Sequence, residues 1–115
     1  MFNYGNNALF KFILTTCPDL PTAHLIAEGL VENNLAACVN IIPSVVSIYK
    51  WQGQVEQSQE TQLFIKTDER KVAEIDSFIT SHHPYEVPEL IVLDITDGAK
   101  PYLAWLSQEL TEENQ

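Results

Sequence analysis

The chain has 115 residues, 45% of them hydrophobic and 19% charged, which is typical of one globular domain and excludes a disordered chain. Sixteen acidic residues against six basic ones give a formal net charge of −10 at pH 7. Because nucleic-acid binding depends on Lys and Arg contacts to phosphates, this charge argues against a nucleic-acid partner.

The first part of the chain predicts a strand and a helix. Ala8–Thr16 is rich in branched and aromatic residues, as in a strand buried on both faces. The helix follows, with Pro21 suited to its first turn and Asn33 and Asn34 suited to a left-handed stop. Its apolar stripe is expected to contain Ala23, Ile26, Ala27, Leu30 and Val31.

A long hairpin is predicted next. Leu35–Ile42 is an apolar strand, and Pro43 indicates a bend or a sheet edge because proline cannot donate to the ladder. The strand continues through Ser44–Trp51, and Gln52-Gly53 provides a tight turn into a further strand that ends near Thr67.

The last part predicts a helix, a strand and a terminal helix. Asp68 is suited to cap the first of these helices, and Glu89–Ile95 forms the last strand. Pro101 starts the terminal helix, and the ends, residues 1–7 and 111–115, are expected to be flexible. The apolar faces of the two helices are Val72, Ile75, Phe78 and Ile79, and Leu103, Leu106 and Leu110.

This order of elements predicts an α+β fold over residues 1–115, a ferredoxin-like βαββαβ sandwich with an added C-terminal helix. The two crossover helices cover one face of its four-stranded antiparallel sheet. The strands are too apolar for the other face to be left in water, and the hairpin is longer than a small sandwich requires. We therefore expect self-association in a closed symmetric ring.

The compartment is predicted from what the sequence lacks. No run approaches the ~18 apolar residues of a membrane span, so no membrane partner is expected. Met1–Asn7 has neither the basic start nor the apolar middle of a signal peptide, which indicates a cytoplasmic protein. In that reducing compartment Cys17 and Cys38 are expected to be free thiols, with Cys38 a buried packing residue in a central strand.

The segment SHHPYEVPE, Ser81–Glu89, contains adjacent histidines between a helix and a strand. Histidines that share a metal usually lie two apart on a strand or three to four apart on a helix, where side chains share a face. For His82 and His83 three arrangements therefore stay open: one histidine binds metal, a bend brings both together, or chains share the ligands. The alternative is a structural role, in which both are solvated or cap the preceding helix.

Cys17 lies where the first strand gives way to the helix. In a ferredoxin-like sandwich this point can approach the loop before the fourth strand, which would bring Cys17 near His82 or His83. Thiolate and imidazole ligands suit copper or zinc, with copper first in the Irving–Williams order. The alternative is a small residue that ends a strand.

A second constellation is polar and aromatic. It suggests either an anion or small-molecule pocket between chains, or a structural ion pair at a subunit seam. Lys66 lies in an otherwise apolar strand, and a buried lysine usually pairs with a carboxylate. The residues concerned are Tyr49, Trp51, Lys66 and Tyr85, with Glu60, Glu86 and Glu89 as candidate carboxylates.

Catalysis is not expected. A Cys-His nucleophile would need a third orienting group and oxyanion donors, and the sequence has no nucleophile elbow, P-loop or dinucleotide fingerprint.

The chain resembles the CutA family, the divalent-cation-tolerance proteins, over nearly its full length. The resemblance lies in separate blocks in the same order: ILTTCPD, LAACVNIIP, SIYKWQGQVEQSQETQLFIKT, SHHPYEVPELIVLDI and YLAWL. It implies a ferredoxin-like subunit in a tight homotrimer whose long hairpins pair across chains, with a shape similar to the PII signalling trimers.

The resemblance also implies copper binding and tolerance to divalent metals. His82 and His83 match the histidine pair of the family, whereas the family's cysteine falls at Thr15, two residues before Cys17. We therefore predict a cytoplasmic homotrimer that binds a divalent metal, copper first, through His82, His83 and Cys17. The alternative is a PII-like signalling or adaptor trimer that holds a small anionic ligand near Lys66.

Overall fold

The structure, a computed structural model, describes residues 9–111. The predicted flexible ends lie outside these residues, apart from Thr111, whose backbone N–H donates to the Gln108 carbonyl. The sheet order is β2-β3-β1-β4 with every pair antiparallel, so the predicted α+β class and order of elements are confirmed. The elements are β1 (Phe10–Cys17), α1 (Leu20–Glu32), β2 (Cys38–Trp51), β3 (Gln54–Asp68), a 3-10 turn (Glu69–Lys71), α2 (Val72–His82), β4 (Ile91–Asp94) and α3 (Lys100–Glu109).

Local chemistry sets the ends of α1. The Asp19 side chain caps the helix by accepting a 2.9 Å hydrogen bond from the Thr22 N–H, and Asn34 leaves the helix at φ 59°, as predicted. The predicted stripe is buried except for Val31, which is 42% exposed. At 100° per residue Val31 lies on the flank of the stripe, beyond the part that the sheet covers.

The hairpin turns where predicted. Gln52 and Gly53 both have positive φ, 52° and 80°, as a type I′ turn requires. The β2–β3 register shifts between Ile42 and Val45, so Pro43 marks a bulge, and β2 is an edge strand of the sheet. The prediction of a buried Cys38 in a central strand is wrong, since Cys38 is half-buried and starts this edge strand.

Two later elements differ from expectation at their ends. The Asp68 side chain accepts from the Arg70 N–H at 2.9 Å and thereby caps the 3-10 turn, which then leads into α2. Strand β4 covers Ile91–Asp94 and is shorter than the predicted Glu89–Ile95, because the Glu89 carbonyl bonds a β1 side chain instead of the ladder.

The core lies between the sheet and the two crossover helices. Ile13 and Ile65 are cross-strand partners on the helix-facing side and pack against α1 and α2. Helix α3 packs on the opposite side, which we call the far face, against Phe10. The rest of the far face stays partly or fully exposed and is mostly apolar, although Gln62 and Lys66 also lie on it. It includes Phe12, Leu14, Phe64, Ile91 and Leu93.

Within residues 9–111, no helix has the length and hydropathy needed to span a membrane.

Candidate functional site

Strand β1 ends in a buried thiol. It runs one residue further than predicted, to Cys17, which pairs with Thr61, so Thr15 and Cys17 lie on the same, helix-facing side. Burial, followed by the negative charges of Asp19 and Glu60, raises the pKa of the Cys17 thiol to about 11. The thiol is therefore protonated at neutral pH and is a poor nucleophile.

His83 is committed to structural hydrogen bonds. It ends α2, is 7% exposed, and places Nε2 2.6 Å from the Thr16 carbonyl. Its Nδ1 accepts from the Tyr85 N–H at 3.1 Å. Because a carbonyl can only accept and a backbone N–H can only donate, the ring is neutral with its proton on Nε2. Neither ring nitrogen of His83 is free for a metal.

His82 presents the opposite arrangement. Its Nδ1 lies 2.8 Å from the Phe78 carbonyl and must donate to it, so in the neutral ring the only N–H is on Nδ1 and Nε2 carries a lone pair. In the part of the chain that the structure describes, Nε2 has no hydrogen-bond partner, and the His82 side chain is exposed. Metal-binding histidines typically hold their other ring N–H on a carbonyl in this way.

His82 borders a groove between the end of α1 and α2, with a volume of about 520 Å³. Its ring stacks on Phe78 with a centroid distance of 4.1 Å. Phe78 in turn lies over Gly29, where a Cβ would come within 2.4 Å of the Phe78 Cζ. The groove is lined by Asn33, Leu35, Ala73, Glu74, Ser77, Phe78, Ser81 and His82.

The part of the chain that the structure describes contains no multidentate metal centre. Among residues 9–111, no three His, Cys, Asp or Glu side chains are grouped so that they could hold a metal ion. Glu74 also lines the groove, but it lies eight residues from His82 along α2, about 12 Å at 1.5 Å per residue. Among the described residues His82 therefore offers one imidazole nitrogen, and no second strong ligand lies beside it.

The loop after α2 brings several predicted residues together. The Tyr85 hydroxyl donates to Glu60 at 3.3 Å, and the Tyr85 ring lies 4.7 Å from that of His83. Burial raises the pKa of Tyr85, and Glu60, Tyr49 and Cys17 raise it further. Burial followed by the Glu60 charge also raises the pKa of Glu89. We call Glu60, Tyr85 and Glu89 the acidic cluster.

Lys66 lies outside the acidic cluster. It is six residues from Glu60 along β3, about 20 Å, and its amine lies 5.8 Å from the centroid of the Tyr102 ring. In residues 9–111 no carboxylate pairs with Lys66, so the predicted pairing with Glu60, Glu86 or Glu89 is wrong within one protomer. Their even spacing along β3 places the Glu60 and Lys66 side chains on one face of the sheet, but six residues separate them.

Two other predicted residues are exposed. Trp51 is exposed at the hairpin turn, where it pairs with Gln54, and Glu86 is exposed in the loop. Sequence reasoning also missed Phe78 and Gly29 as neighbours of the histidine. The four-residue spacing of Phe78 and His82 was the available signal, because it places two rings on one helix face.

Comparison with known sequences identifies relatives. Residues 11–109 match the family described as CutA1 divalent ion tolerance protein. The chain is 48% identical over 97 residues to a CutA homolog of Xenopus laevis, covering 84% of this chain and 64% of the relative. It is 44% identical to the divalent-cation tolerance protein CutA of Thermus thermophilus, covering 85% and 95%. The chain thus spans less than two thirds of the vertebrate relative's length.

Solved structures agree. The fold superposes on CutA from Xylella fastidiosa with a TM-score of 0.86 at 42% identity, covering 89% of this chain and 98% of that one. The TM-score is also 0.86 for a CutA from Archaeoglobus fulgidus described as a periplasmic divalent cation tolerance protein, at 35% identity and covering 90% and 100%. These matches confirm the resemblance inferred from the sequence blocks: the chain belongs to the CutA1 divalent ion tolerance family.

Proposed function

We propose that this protein binds a divalent metal ion, copper before zinc, and contributes to divalent cation tolerance without catalysing a reaction. The observation that carries the proposal is the His82 tautomer, in which Nδ1–H bonds the Phe78 carbonyl and Nε2 keeps its lone pair. Imidazole suits copper and zinc, and copper binds more tightly in the Irving–Williams order. The names of the relatives, divalent-cation tolerance proteins, agree with such a role.

The three predicted ligands differ in what binding would require. His82 needs no rearrangement, because Nε2 of its neutral ring carries no hydrogen and has no partner in the described residues. His83 would have to give up a bond to Thr16 or Tyr85. Cys17 would have to release a proton from a thiol with a pKa of about 11. We therefore propose His82 as the primary ligand, with His83 and Cys17 joining only after rearrangement.

A calorimetric titration of Cu²⁺ and Zn²⁺ at moderate salt tests this assignment. The parent is compared with His82→Ala, His83→Ala and Cys17→Ser. We expect His82→Ala to weaken binding by about tenfold or more, and Cys17→Ser to leave it nearly unchanged. If all three variants bind as the parent does, then the net charge of −10 suffices to explain metal association and the site is refuted.

We propose that the protein assembles as a homotrimer of ferredoxin-like subunits through the far face and the long hairpins. The support is the exposed apolar surface of that face and the unpaired outer edge of β2. Leu93→Glu on the far face should dissociate the assembly in light scattering. Leu25→Glu, at similar exposure (59% against 48%) on the outer side of α1, should not. A stable parent monomer at micromolar concentration would contradict the trimer.

The second candidate is a signalling or adaptor trimer of the PII type that binds a small anion. The observation in its favour is Lys66, which stands beside Tyr102 without a carboxylate partner in residues 9–111. A ligand at a hundred times its dissociation constant adds about 2.7 kcal/mol to the free energy of unfolding. A thermal shift with anionic metabolites that Lys66→Met abolishes would support this function, and its absence would oppose it.

The proposed compartment is the cytoplasm. The Archaeoglobus fulgidus relative is described as periplasmic, so the family is not confined to one compartment by name. Cell fractionation with antibodies against the native protein tests the proposal, and recovery in the periplasm or an organelle would refute it.

A further inference from the structure

We propose that Phe78 is a positioning residue: together with Gly29 beneath it, it holds the His82 imidazole in the tautomer and orientation that direct Nε2 to the metal ion at the α1–α2 groove. This inference rests on the proposed function, in that it takes His82 as the primary metal ligand.

Phe78 holds the imidazole at two points. Its backbone carbonyl accepts the Nδ1–H of His82 at 2.8 Å, which fixes the proton. Its ring stacks on the imidazole at 4.1 Å and an interplanar angle of 21°, which fixes the plane. Since Nδ1 points at the helix backbone, Nε2 on the other side of the ring points away from it. An exposed histidine at a helix end would otherwise sample several rotamers and both tautomers.

Phe78 is itself held from α1. A Cβ on Gly29 would lie 2.4 Å from Cζ and 3.1 and 3.3 Å from the two Cε atoms of the Phe78 ring. The ring therefore occupies the space that a side chain at residue 29 would fill. Phe78 also packs against the core cluster between the sheet and the helices. The lack of a side chain at Gly29 on α1 thus leaves room for the Phe78 ring, which in turn orients His82 on α2.

The surroundings of His82 explain why orientation matters. The groove offers hydroxyls of Ser77 and Ser81 and the Asn33 amide, but no second imidazole or thiol. Ser81 already donates to the Ser77 carbonyl at 2.8 Å. When a site has only one strong ligand, any conformational entropy that this ligand loses on binding lowers the affinity directly. An imidazole that is already held in place loses little, so the metal binds more tightly. A single imidazole also favours Cu²⁺ and Zn²⁺ over Mg²⁺ and Ca²⁺.

The test separates orientation from stability. Phe78→Leu removes the ring but keeps apolar bulk, and Gly29→Ala displaces the ring without altering it. Val72→Ala is the matched control for lost packing, because Val72 packs against the same core cluster as Phe78 but lies at the other end of α2 from His82. The two readouts are the dissociation constant for Cu²⁺ by calorimetry and the ¹⁵N chemical shifts of the His82 ring in the metal-free protein, which report its tautomer.

We expect Phe78→Leu and Gly29→Ala to weaken Cu²⁺ binding by about threefold to tenfold. Both variants keep the Phe78 carbonyl, but without the stacked ring the imidazole turns out of the plane in which Nδ1–H meets it, so the His82 ring should shift towards a mixture of tautomers. Val72→Ala should leave both readouts at the parent values. Unchanged tautomer and affinity in Phe78→Leu and Gly29→Ala would overturn the positioning role. The tautomer is measured without metal, so it decides this role even if His82→Ala retains metal binding and the proposed function fails.

Discussion

His82 and His83 are neighbours in the chain but have different hydrogen-bonding roles. His83 lies at the end of β1, and His82 lies at the groove between α1 and α2. At the end of β1, His83 joins two backbone segments and has no ring nitrogen to spare. In the groove, His82 bonds only its own helix and keeps one nitrogen free. Two histidines of one motif therefore differ in whether a ring nitrogen is left without a protein partner, which a metal ligand requires.

The largest expected difference between the two regions is in how much each histidine contributes to the free energy of unfolding. His83→Ala leaves the buried Thr16 carbonyl and the Tyr85 N–H without partners, and we expect the free energy of unfolding to fall by about 2–4 kcal/mol. His82→Ala removes an exposed ring and should cost less than about 1 kcal/mol. Urea unfolding at one fixed protein concentration measures both. Equal losses would remove the distinction between the two regions.

The pH dependence of the free energy of unfolding tests whether the Cys17 thiol at the end of β1 is buried. The pKa of the Cys17 thiol rises from 9.0 to about 11 on folding, so the folded state retains a proton that the unfolded state loses. This contribution is present in full below pH 9 and is lost as the pH rises towards 11, and it is at most about 2.7 kcal/mol at 1.36 kcal/mol per pKa unit. Cys17→Ala should show a shallower decline than the parent over this window, and parallel curves would contradict the buried thiol.

A smaller effect is expected where β1 meets the segment before β4. The Thr15 hydroxyl donates to the Glu89 carbonyl at 2.6 Å. Thr15→Val keeps the shape and removes the donor, which should lower the free energy of unfolding by about 1 kcal/mol. Hydrogen exchange in β4 should quicken in the variant while exchange in α2 does not. Uniform acceleration would show that the bond acts on the whole domain.

The smallest effect is expected for the Tyr85 hydroxyl. Its bond to Glu60 is long, 3.3 Å, and exposed, so Tyr85→Phe should change the free energy of unfolding by less than about 0.5 kcal/mol. The parent should titrate its Tyr85 phenol above the usual range in ultraviolet difference spectra, because burial and Glu60 raise the pKa. A phenol pKa in the usual range would contradict the partial burial of Tyr85 and its contact with Glu60.

Local chemistry made much of the fold predictable. The Asn34 stop, the Gln52-Gly53 turn and the bulge near Pro43 each follow from the backbone preferences of those residues. Lys66 and Cys38 were misplaced because their surroundings depend on which strands are neighbours in the sheet and how far apart residues lie along a strand. The candidate site was predictable only as residue types, since a tautomer depends on hydrogen bonds that no sequence pattern specifies.

Gly29 affects the His82 ring indirectly, through Phe78. A substitution there changes neither the histidine nor any residue of its own helix, yet it alters the ring on which the histidine rests. If His82 binds metal as proposed, the size of residue 29 on α1 would adjust the affinity in graded steps while the coordinating nitrogen is left in place. A single position outside the metal's own ligands would then tune the site without removing it.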